Sequence, residues 1–335
     1  MVNKELSENS SLGQFFSYPW VRAMLALICI FVIGMIFSGD GAFYKWSTHR
    51  DMLRQSSVFG ILACGMTLVI ITGGIDLAVG SVLGLSAVVF SIFSMHWGWS
   101  PWLAVPMCLI IGAATGVVSG GTIAWFRIQP FISTLAMMVF ARGLAKFVSG
   151  GMKISTAVQL PDGTYQFVEQ PPIYDFIDSR IFGGNIAVVT IIFLLCLLVS
   201  WIILSKLRFG RYIYAIGGNE EASRLSGVPV CMTKILTYGM AGLFSAVAGI
   251  CQAAQEYQGD PESGTAYELT AIAIVVIGGT NLMGGRGSVV LTLIGTLTIG
   301  YLEKILSINA VGEASRLMLT GVIIITAVLF QRSKR

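Results

Sequence analysis

The sequence has few charged residues: only 11% of its 335 residues are Asp, Glu, Lys or Arg. Soluble domains carry roughly 25%, whereas 55% of this chain is hydrophobic and its mean hydropathy is +0.79. These three values together exclude an ordinary soluble globular protein. The apolar stretches are continuous and do not alternate with polar residues, which excludes a transmembrane β-barrel as well.

Residues that commonly bind metals or act as nucleophiles are also scarce. The chain has two histidines, His49 and His96, and six cysteines that never form a Cys-x-x-Cys pair. We therefore expect no metal site, no disulfide framework and no Ser-His-Asp triad. The phosphate-loop pattern Gly-x-x-x-x-Gly-Lys-(Ser/Thr) is absent from the sequence, so we expect neither ATP hydrolysis nor a bound cofactor. The net charge of +4 lies largely at predicted membrane edges, which indicates topology and not nucleic-acid binding.

The apolar runs predict an all-α polytopic membrane protein with about ten transmembrane helices. The predicted spans are 23–37, 56–72, 77–95, 103–126, 131–148, 185–204, 235–254, 269–279, 289–306 and 317–330. The eighth is too short to cross a bilayer alone, and eight spans is the alternative if the first or eighth segment lies in the interface. The distribution of Lys and Arg over the loops favours cytoplasmic termini.

We predict one transmembrane domain, 1–335, with three segments outside the membrane. These are a cytoplasmic tail (1–20), an external loop with a hairpin (150–184) and a cytoplasmic loop (205–234). No signal-peptide cleavage pattern follows the first span, so it is predicted to be an uncleaved anchor. Span four carries Gly112, Gly116 and Gly120 on one face, which predicts close contact with another helix.

Two similar stretches interrupt the apolar runs, one in each half of the chain. The first is Gly-Gly-Ile-Asp-Leu at 73–77, and the second is Gly-Gly-Thr-Asn-Leu at 278–282. Both follow an aliphatic run and precede a Ser-Val pair. Paired hydrophobic segments interrupted by glycine are typical of transporters with internal repeats. We therefore predict a duplicated fold with broken helices, in which the candidate pathway residues are Gly73, Gly74, Asp76, Gly278, Gly279 and Asn281.

Asp76 has two interpretations. Its carboxylate can cap the helix that follows it, or it can shape a polar gate beside the pathway together with Asn281. Asn281 favours the first interpretation, because Asn caps a helix as well as Asp does without carrying a charge.

A short helix is predicted inside the cytoplasmic loop, within 219–227. Asn219 suits the N-cap, Glu220 and Glu221 suit the positive end of the helix, and Gly227 suits the left-handed residue that follows it. A helix of two turns is not stable alone. We therefore expect it to dock against another surface.

The segment Glu221-Ala222-Ser223, followed by Gly227, resembles the Glu-Ala-Ala-x-x-x-Gly signature of membrane subunits of ABC importers, with Ser in place of the second Ala. The stretches 65–81, 214–219 and 267–280 resemble permeases of the ribose/xylose/galactose type, within the branched-chain amino acid/sugar permease superfamily. The resemblance extends from the second span to the C-terminus. It implies that the short helix docks on an ATPase through Asn219, Glu220, Glu221, Ala222, Ser223, Arg224, Leu225 and Gly227.

The resemblance further implies the permease of an ATP-driven, binding-protein-dependent importer of a monosaccharide or related small polar solute, in the bacterial inner membrane. The implied partners are a second permease subunit, identical or similar, two ABC ATPase domains that hold the ATP and Mg, and an external sugar-binding protein. Four basic residues are candidates for docking that binding protein, although side chains that snorkel to the interface give the same pattern: Arg50, Arg54, Lys153 and Arg180.

Two other classes of transporter remain as alternatives. A secondary transporter driven by an ion gradient also uses broken helices with carboxylates, but the predicted spans hold few acids, chiefly Asp76. A passive channel would show a ring of charges or a filter-like repeat, and the sequence shows neither.

Overall fold

The computed structural model describes residues 18–159, 163–312, 314–316, 318–319, 321–322 and 325. The protein is an α-helical bundle in which eight helices of these described residues are long and apolar enough to cross a membrane. The helices are α1 (Pro19–Ile36), α2 (Trp46–Ile71), α3 (Val79–Ser91), α4 (Pro101–Trp125), α5 (Pro130–Ser149), α6 (Pro172–Asp178), α7 (Val188–Lys206), α8 (Arg208–Gly218), α9 (Glu220–Leu225), α10 (Val230–Glu256), α11 (Tyr267–Ile277) and α12 (Val289–Ile308). A π-helical turn, Ile92–His96, extends α3, and a 3-10 turn, Ala42–Tyr44, precedes α2.

Among the described residues, the two strand pairs lie between α5 and α7. Strands β1 (Ala157–Gln159) and β2 (Tyr165–Phe167) form an antiparallel hairpin with Val158 opposite Gln166. Strands β3 (Arg180–Ile181) and β4 (Ile186–Ala187) form a second antiparallel pair directly before α7. The hairpin expected in the external loop is therefore present.

Helix α10 lies at the centre of the bundle, where it contacts α2, α3 and α4. The glycine face of α4 makes one of these contacts close: a Cβ on Gly112 would lie 2.7 Å from the carbonyl oxygen of Gly242, and a Cβ on Gly120 would lie 2.8 Å from the Cα of Ile235. The predicted close helix contact is confirmed. Side chains any larger than hydrogen at these positions would force the two helices apart.

The peripheral helices present apolar side chains outward, as expected of surfaces that face lipid. Ile28 of α1, Phe140 of α5 and Leu195 of α7 are all more than half exposed. By contrast, α2 and α3 are buried along most of their length. The bundle thus has an inner layer of α2, α3 and α10 and an outer layer that meets the hydrocarbon.

Two predicted boundaries are wrong. The second predicted span starts at residue 56, but its helix begins at Trp46. The charged residues of this added stretch find partners on the external segment: Arg180 bonds Asp51 at 2.6 Å, and Arg54 pairs with Asp178. The predicted cytoplasmic loop 205–234 contains α8 and the first turn of α10 in addition to α9, the short helix predicted within it, and its place outside the membrane stays a prediction. The tail predicted at 1–20 is too long by two residues, because Pro19 and Trp20 belong to α1.

The eighth predicted span corresponds to α11, which has only 11 residues. Helix α12 matches the ninth predicted span and ends two residues later than predicted. Most of the tenth predicted span, and residues 1–17 of the predicted tail, lie outside the described residues. The number of spans therefore stays a prediction beyond the eight helices given above.

Candidate functional site

The first helix break, residues 72–78, ends α2 with a Schellman motif. Gly73 has φ +79°, and its N–H donates to Ile70 O at 2.9 Å while the N–H of Gly74 donates to Val69 O at 3.2 Å. These two bonds satisfy carbonyls that the end of a helix otherwise leaves unpaired. Only glycine adopts the left-handed conformation readily, so Gly73 is the residue that allows α2 to stop inside the bundle.

The second helix break, residues 278–288, ends α11 with the same motif. Gly279 has φ +102°, its N–H donates to Val276 O at 2.9 Å, and the N–H of Thr280 donates to Val275 O at 3.1 Å. The left-handed residue is thus the second glycine of this Gly-Gly pair but the first glycine of the earlier pair. The two helix ends therefore have the same geometry, but the equivalent glycines are shifted by one residue relative to the alignment of the two Gly-Gly pairs.

Asp76 and Asn281 make the same local turn in the two breaks. The Oδ1 of Asp76 accepts a hydrogen bond from the N–H of Ala78 at 2.9 Å, and the Oδ1 of Asn281 accepts one from the N–H of Met283 at 3.1 Å. Both are Asx turns, in which a side-chain oxygen accepts the N–H two residues further on. Neither residue is the N-cap of the next helix, since Ala78 precedes α3 without a side-chain cap and Ser288 caps α12 by accepting from the N–H of Leu291. Both interpretations of Asp76 therefore stay predictions.

The surroundings of the two side chains differ. Asp76 is only 3% exposed and lies next to Thr115 and Ser119 of α4 and Ser245 of α10. Asn281 is half-buried, and its amide nitrogen also donates to Gly284 O at 3.3 Å. The carboxylate therefore lies within the helix bundle, whereas the amide holds together a loop at its edge.

The two breaks meet each other and the end of α8. The N–H of Gly285, in the second break, donates to Ile71 O at the end of α2 over 2.9 Å. Gly217 of α8 packs so closely here that a Cβ on it would overlap both Ile71 O and the N–H nitrogen of Gly285. We call this meeting point, formed by Ile71–Gly73, Gly217–Gly218 and Gly284–Gly285, the junction.

A side chain of α8 strengthens the junction. The hydroxyl of Tyr214 donates to Gly287 O in the second break at 2.8 Å. The sequence identified the stretch 214–219 only through its resemblance to other permeases, and it assigned no role to Tyr214 or Gly217. The Gly-Gly pair at 217–218 is the physical signal for this contact. Glycine lowers helix stability, and two glycines in the last turn of α8 allow a close contact between backbones.

Helix α9 has the capping pattern expected from the sequence. Asn219 accepts a hydrogen bond from the N–H of Ala222 at 2.9 Å, and Gly227, at φ +82°, ends the helix. Its N–H donates to Arg224 O at 3.1 Å, and that of Val228 donates to Ser223 O at 3.0 Å. Since Asn219 directly follows Gly218, α9 starts at the junction.

One face of α9 is anchored and the other is exposed. Lys234 of α10 bonds Glu220 at 2.6 Å, and Ser223 is only 6% exposed. On the opposite side, Leu225 is 83% exposed and the side chain of Glu221 is 71% exposed. The helix thus presents a leucine and a carboxylate at the surface while its other side holds its position.

The four basic residues predicted to dock a binding protein all have intramolecular partners. Arg54 pairs with Asp178, Arg180 with Asp51, and Lys153 with Asp260 at 3.0 Å, while Arg50 donates to Gly184 O at 2.9 Å. The hydrogen bond to Asp260 also raises the pKa of Lys153. These contacts hold the external segment on α2 and on the loop after α10, and docking of a partner stays a prediction.

The fold and the site define a class: a polytopic α-helical membrane transport protein with paired helix breaks. Comparison with known proteins narrows the class. Residues 50–328 match the family described as branched-chain amino acid transport system / permease component, and the chain belongs to this family. It is therefore a multi-pass permease of the bacterial inner membrane.

Individual relatives cover nearly the whole chain. The ribose import permease protein of Escherichia coli K12 is 38% identical over 96% of this chain and 97% of its own length. That of Bacillus subtilis 168 is 40% identical over 85% and 84%, and the fructose import permease protein of Bifidobacterium longum NCC 2705 is 30% identical over 98% and 92%. No solved structure matches the chain.

Proposed function

We propose that this chain is the membrane permease of an ATP-driven, binding-protein-dependent importer of a monosaccharide or a related small polar solute. The observation that carries the proposal is the junction: the helix that precedes α9 contacts both helix breaks through backbone atoms. The names of the relatives support a sugar, since they import ribose or fructose.

In this proposal α9 is the contact with a separate ATPase. Its exposed Leu225 and Glu221 supply an apolar group and a charge for docking, and its rigid connection to α8 passes movement on. Because Gly217 leaves no space against Ile71 and Gly285, α8 cannot shift without displacing the ends of both breaks. Closure of the ATPase around ATP and Mg would then change the pathway beside Gly73, Gly74, Asp76, Gly278, Gly279 and Asn281.

The proposed assembly contains two permease subunits, two ATPase domains and an external binding protein. This chain binds no cofactor of its own in the proposal, and ATP with its Mg is held by the ATPase. The binding protein supplies selectivity, so the permease needs only a weak site for the solute.

The proposal is tested by purifying the chain with its ATPase and measuring sugar uptake in proteoliposomes. Uptake should stop when the phosphate-loop Lys of the ATPase is replaced, and it should persist when ion gradients are collapsed. Uptake that survives the Lys replacement and stops with the gradient would instead favour a secondary transporter.

The role of α9 is tested by Glu221→Ala combined with Gly227→Pro. Proline cannot adopt the positive φ of Gly227, so the helix end and the exposed carboxylate are both lost. Substrate-stimulated ATP hydrolysis should disappear while the protein still inserts in the membrane. Arg211→Ala, at an exposed position of α8, is the control. Normal stimulation in the double variant would reject the coupling role.

Docking of a binding protein is best tested at Lys153. Its side chain is 58% exposed, against 23% for Arg54 and 28% for Arg180. Replacing Lys153 should therefore disturb the fold less than replacing either arginine. Lys153→Glu should weaken binding of the external protein, and the remaining binding should depend less steeply on salt because an attractive charge contact is lost. Unchanged affinity would remove Lys153 from the docking surface.

A further inference from the structure

A polar cavity lies between α2, α10, α11 and α12, on the side of the bundle away from the junction. Its volume is about 630 Å³, within the range of about 300–1,000 Å³ of pockets that hold small molecules. It begins near the first turns of α2, at Gln55 and Ser56, and reaches Ile274 and Thr296 deeper in the bundle. On the predicted topology it opens to the outside.

The lining groups are mainly neutral and hydrogen-bonding. Amides come from Gln55, Gln252 and Gln255, and hydroxyls come from Thr270 and Ser307. Amides and hydroxyls both donate and accept hydrogen bonds. One acid, Glu303, and one base, Arg316, also line the cavity, so their charges are balanced and the site favours no ionic solute.

Several of these groups keep unused hydrogen-bonding capacity. Gln252 donates from Nε2 to Glu256 Oε1 at 2.5 Å, and Gln255 donates from Nε2 to Arg54 O at 3.3 Å. Both amides therefore retain their carbonyl oxygens as acceptors. Within the described part of the chain, the side chains of Gln55 and Thr270 make no hydrogen bond. Such groups require water or a polar ligand at this depth.

Two aromatic rings complete the lining. Phe59 and Tyr267 lie with their ring centroids 4.5 Å apart and their planes inclined at 51°. A sugar ring presents an apolar C–H face and a rim of hydroxyls, which matches an aromatic surface beside amides. A cavity for a purely apolar ligand would not carry three glutamine side chains.

A polar face of α12 leads from the cavity toward the junction. Thr292, Thr296, Gly300, Glu303 and Ser307 follow at spacings of four, four, three and four residues, which places them on one side of the helix. This side meets α2, since a Cβ on Gly300 would lie 2.8 Å from the Sδ of Met52. Below the cavity, the hydroxyls of Thr292 and Thr67 are 2.6 Å apart.

We propose that the cavity is the site where this permease receives a neutral polyhydroxylated solute of monosaccharide size. The solute's hydroxyls bond the amides of Gln55, Gln252 and Gln255 and the hydroxyl of Thr270, and its C–H face packs on Phe59 and Tyr267. This proposal rests on the proposed function and adds to it the side chains that contact the solute.

The test uses single cysteines at Gln55 and Thr270 in the importer with its six native cysteines replaced. Spheroplasts are treated with a membrane-impermeant thiol reagent. Because a thiol reacts as the thiolate and needs water, Gln55→Cys and Thr270→Cys should react about tenfold faster than Leu195→Cys on the lipid-facing side of α7. D-Ribose, D-fructose or D-xylose in excess should slow the reaction of Thr270→Cys, whereas gluconate should not.

Three outcomes would overturn the proposal. Slow labelling at both positions would show that the cavity is dry or covered by another helix. Fast labelling without protection by any of the three sugars would show only a water-filled entrance, and equal protection by gluconate would contradict selectivity for a neutral solute.

A second variant measures function directly. Thr270→Val removes one hydroxyl with little change of shape, and the lost hydrogen bond should lower the maximal rate of uptake about 2- to 10-fold, while the KM, which the binding protein sets, changes little. An unchanged maximal rate would contradict contact with Thr270. If only the assignment of the cavity is wrong, uptake still depends on the ATPase. If the proposed function is wrong, uptake does not depend on the ATPase, but the sugars still protect Thr270→Cys.

Discussion

The first break (72–78) and the second break (278–288) share a left-handed glycine and a turn on a side-chain oxygen, but they differ in length and burial. In the first, α3 starts at Val79, three residues after Asp76, and Asp76 is buried. In the second, α12 starts at Val289, and the intervening loop reaches Ile71 and Gly217. The duplicated element has thus diverged: the first break redirects the chain, and the second connects it to α8.

This difference indicates which features the two halves need in common. Both need the glycine that ends a helix inside the bundle, and both need an oxygen that accepts an N–H within the turn. The charge of Asp76 and the long loop of the second break occur only once. We therefore expect variants of the shared geometry, and of the junction, to be more damaging than variants that change only the charge.

The largest effect is expected for Gly217→Ala. The added methyl group would overlap Ile71 O and the backbone nitrogen of Gly285, and overpacking of this kind costs about 1–3 kcal/mol or more. Separation of α8 from both breaks should abolish solute uptake and its coupling to ATP hydrolysis. The measurement is uptake per inserted protein in proteoliposomes.

Gly218→Ala is the matched control for that variant. A Cβ on Gly218 has no atom within 4 Å among the described residues, and it changes the same helix at the next position. Uptake should remain close to that of the unmodified protein. Equal loss in both variants would attribute the effect to any side chain added at the end of α8 and not to the overlap at Gly217.

The next largest effect is a loss of stability, expected at the left-handed glycines that end α2 and α11. Gly73→Ala should cost about 1–2 kcal/mol from backbone conformation alone, because its nearest neighbour, Met283 O, is 3.8 Å away. Gly279→Ala should cost more, since its φ is +102° and Pro19 lies 3.1 Å from the new Cβ. Thermal unfolding in detergent measures the difference as a lower Tm for Gly279→Ala.

Asparagine sharpens this comparison because it adopts the left-handed conformation more readily than alanine. Gly73→Asn should recover part of the stability lost in Gly73→Ala, whereas Gly279→Asn should recover none because Pro19 occupies the space. Equal recovery at both positions would show that the crowding at the second break has no energetic effect.

A smaller effect is expected for Tyr214→Phe, which removes the hydrogen bond from α8 to Gly287 in the second break. Its loss should cost about 1 kcal/mol and reduce the maximal rate of uptake without changing the amount of inserted protein. Tyr212→Phe is the control, because the hydroxyl of Tyr212 makes no hydrogen bond within the described chain. A similar reduction in both variants would contradict a specific role for Tyr214.

The sequence predicts the parts of this structure that depend on local chemistry. The apolar runs locate the long helices, the spacing of Gly112, Gly116 and Gly120 identifies a packing face, and the order of residues 219–227 predicts the caps of α9. Each of these follows from groups that are neighbours along the chain or on one helix face.

Features that depend on distant contacts could not be predicted in this way. The N-terminal turns of α2 look like a loop until Asp178 and Arg180 are placed beside Arg54 and Asp51. The offset of one residue between the two Gly-Gly pairs depends on where each helix ends, and the junction joins three segments that are far apart in sequence. The polar face of α12 lines a cavity only together with the glutamines of α2 and α10, which are distant in sequence.

The smallest effect is expected for Asp76→Asn, and it tests most directly whether the two breaks need the same chemistry. The amide of Asn keeps the oxygen that accepts the N–H of Ala78, and it removes a carboxylate that is 3% exposed, where an ionised group is costly. Stability and uptake should therefore stay near those of the unmodified protein, whereas Asp76→Ala, which lacks the oxygen and so loses one hydrogen bond, should lose about 1 kcal/mol. The Tm in detergent and the rate of uptake measure both variants. If Asp76→Asn inserts normally but fails to transport, the carboxylate acts in the pathway, and the first break carries a function that the second, with Asn281, does not.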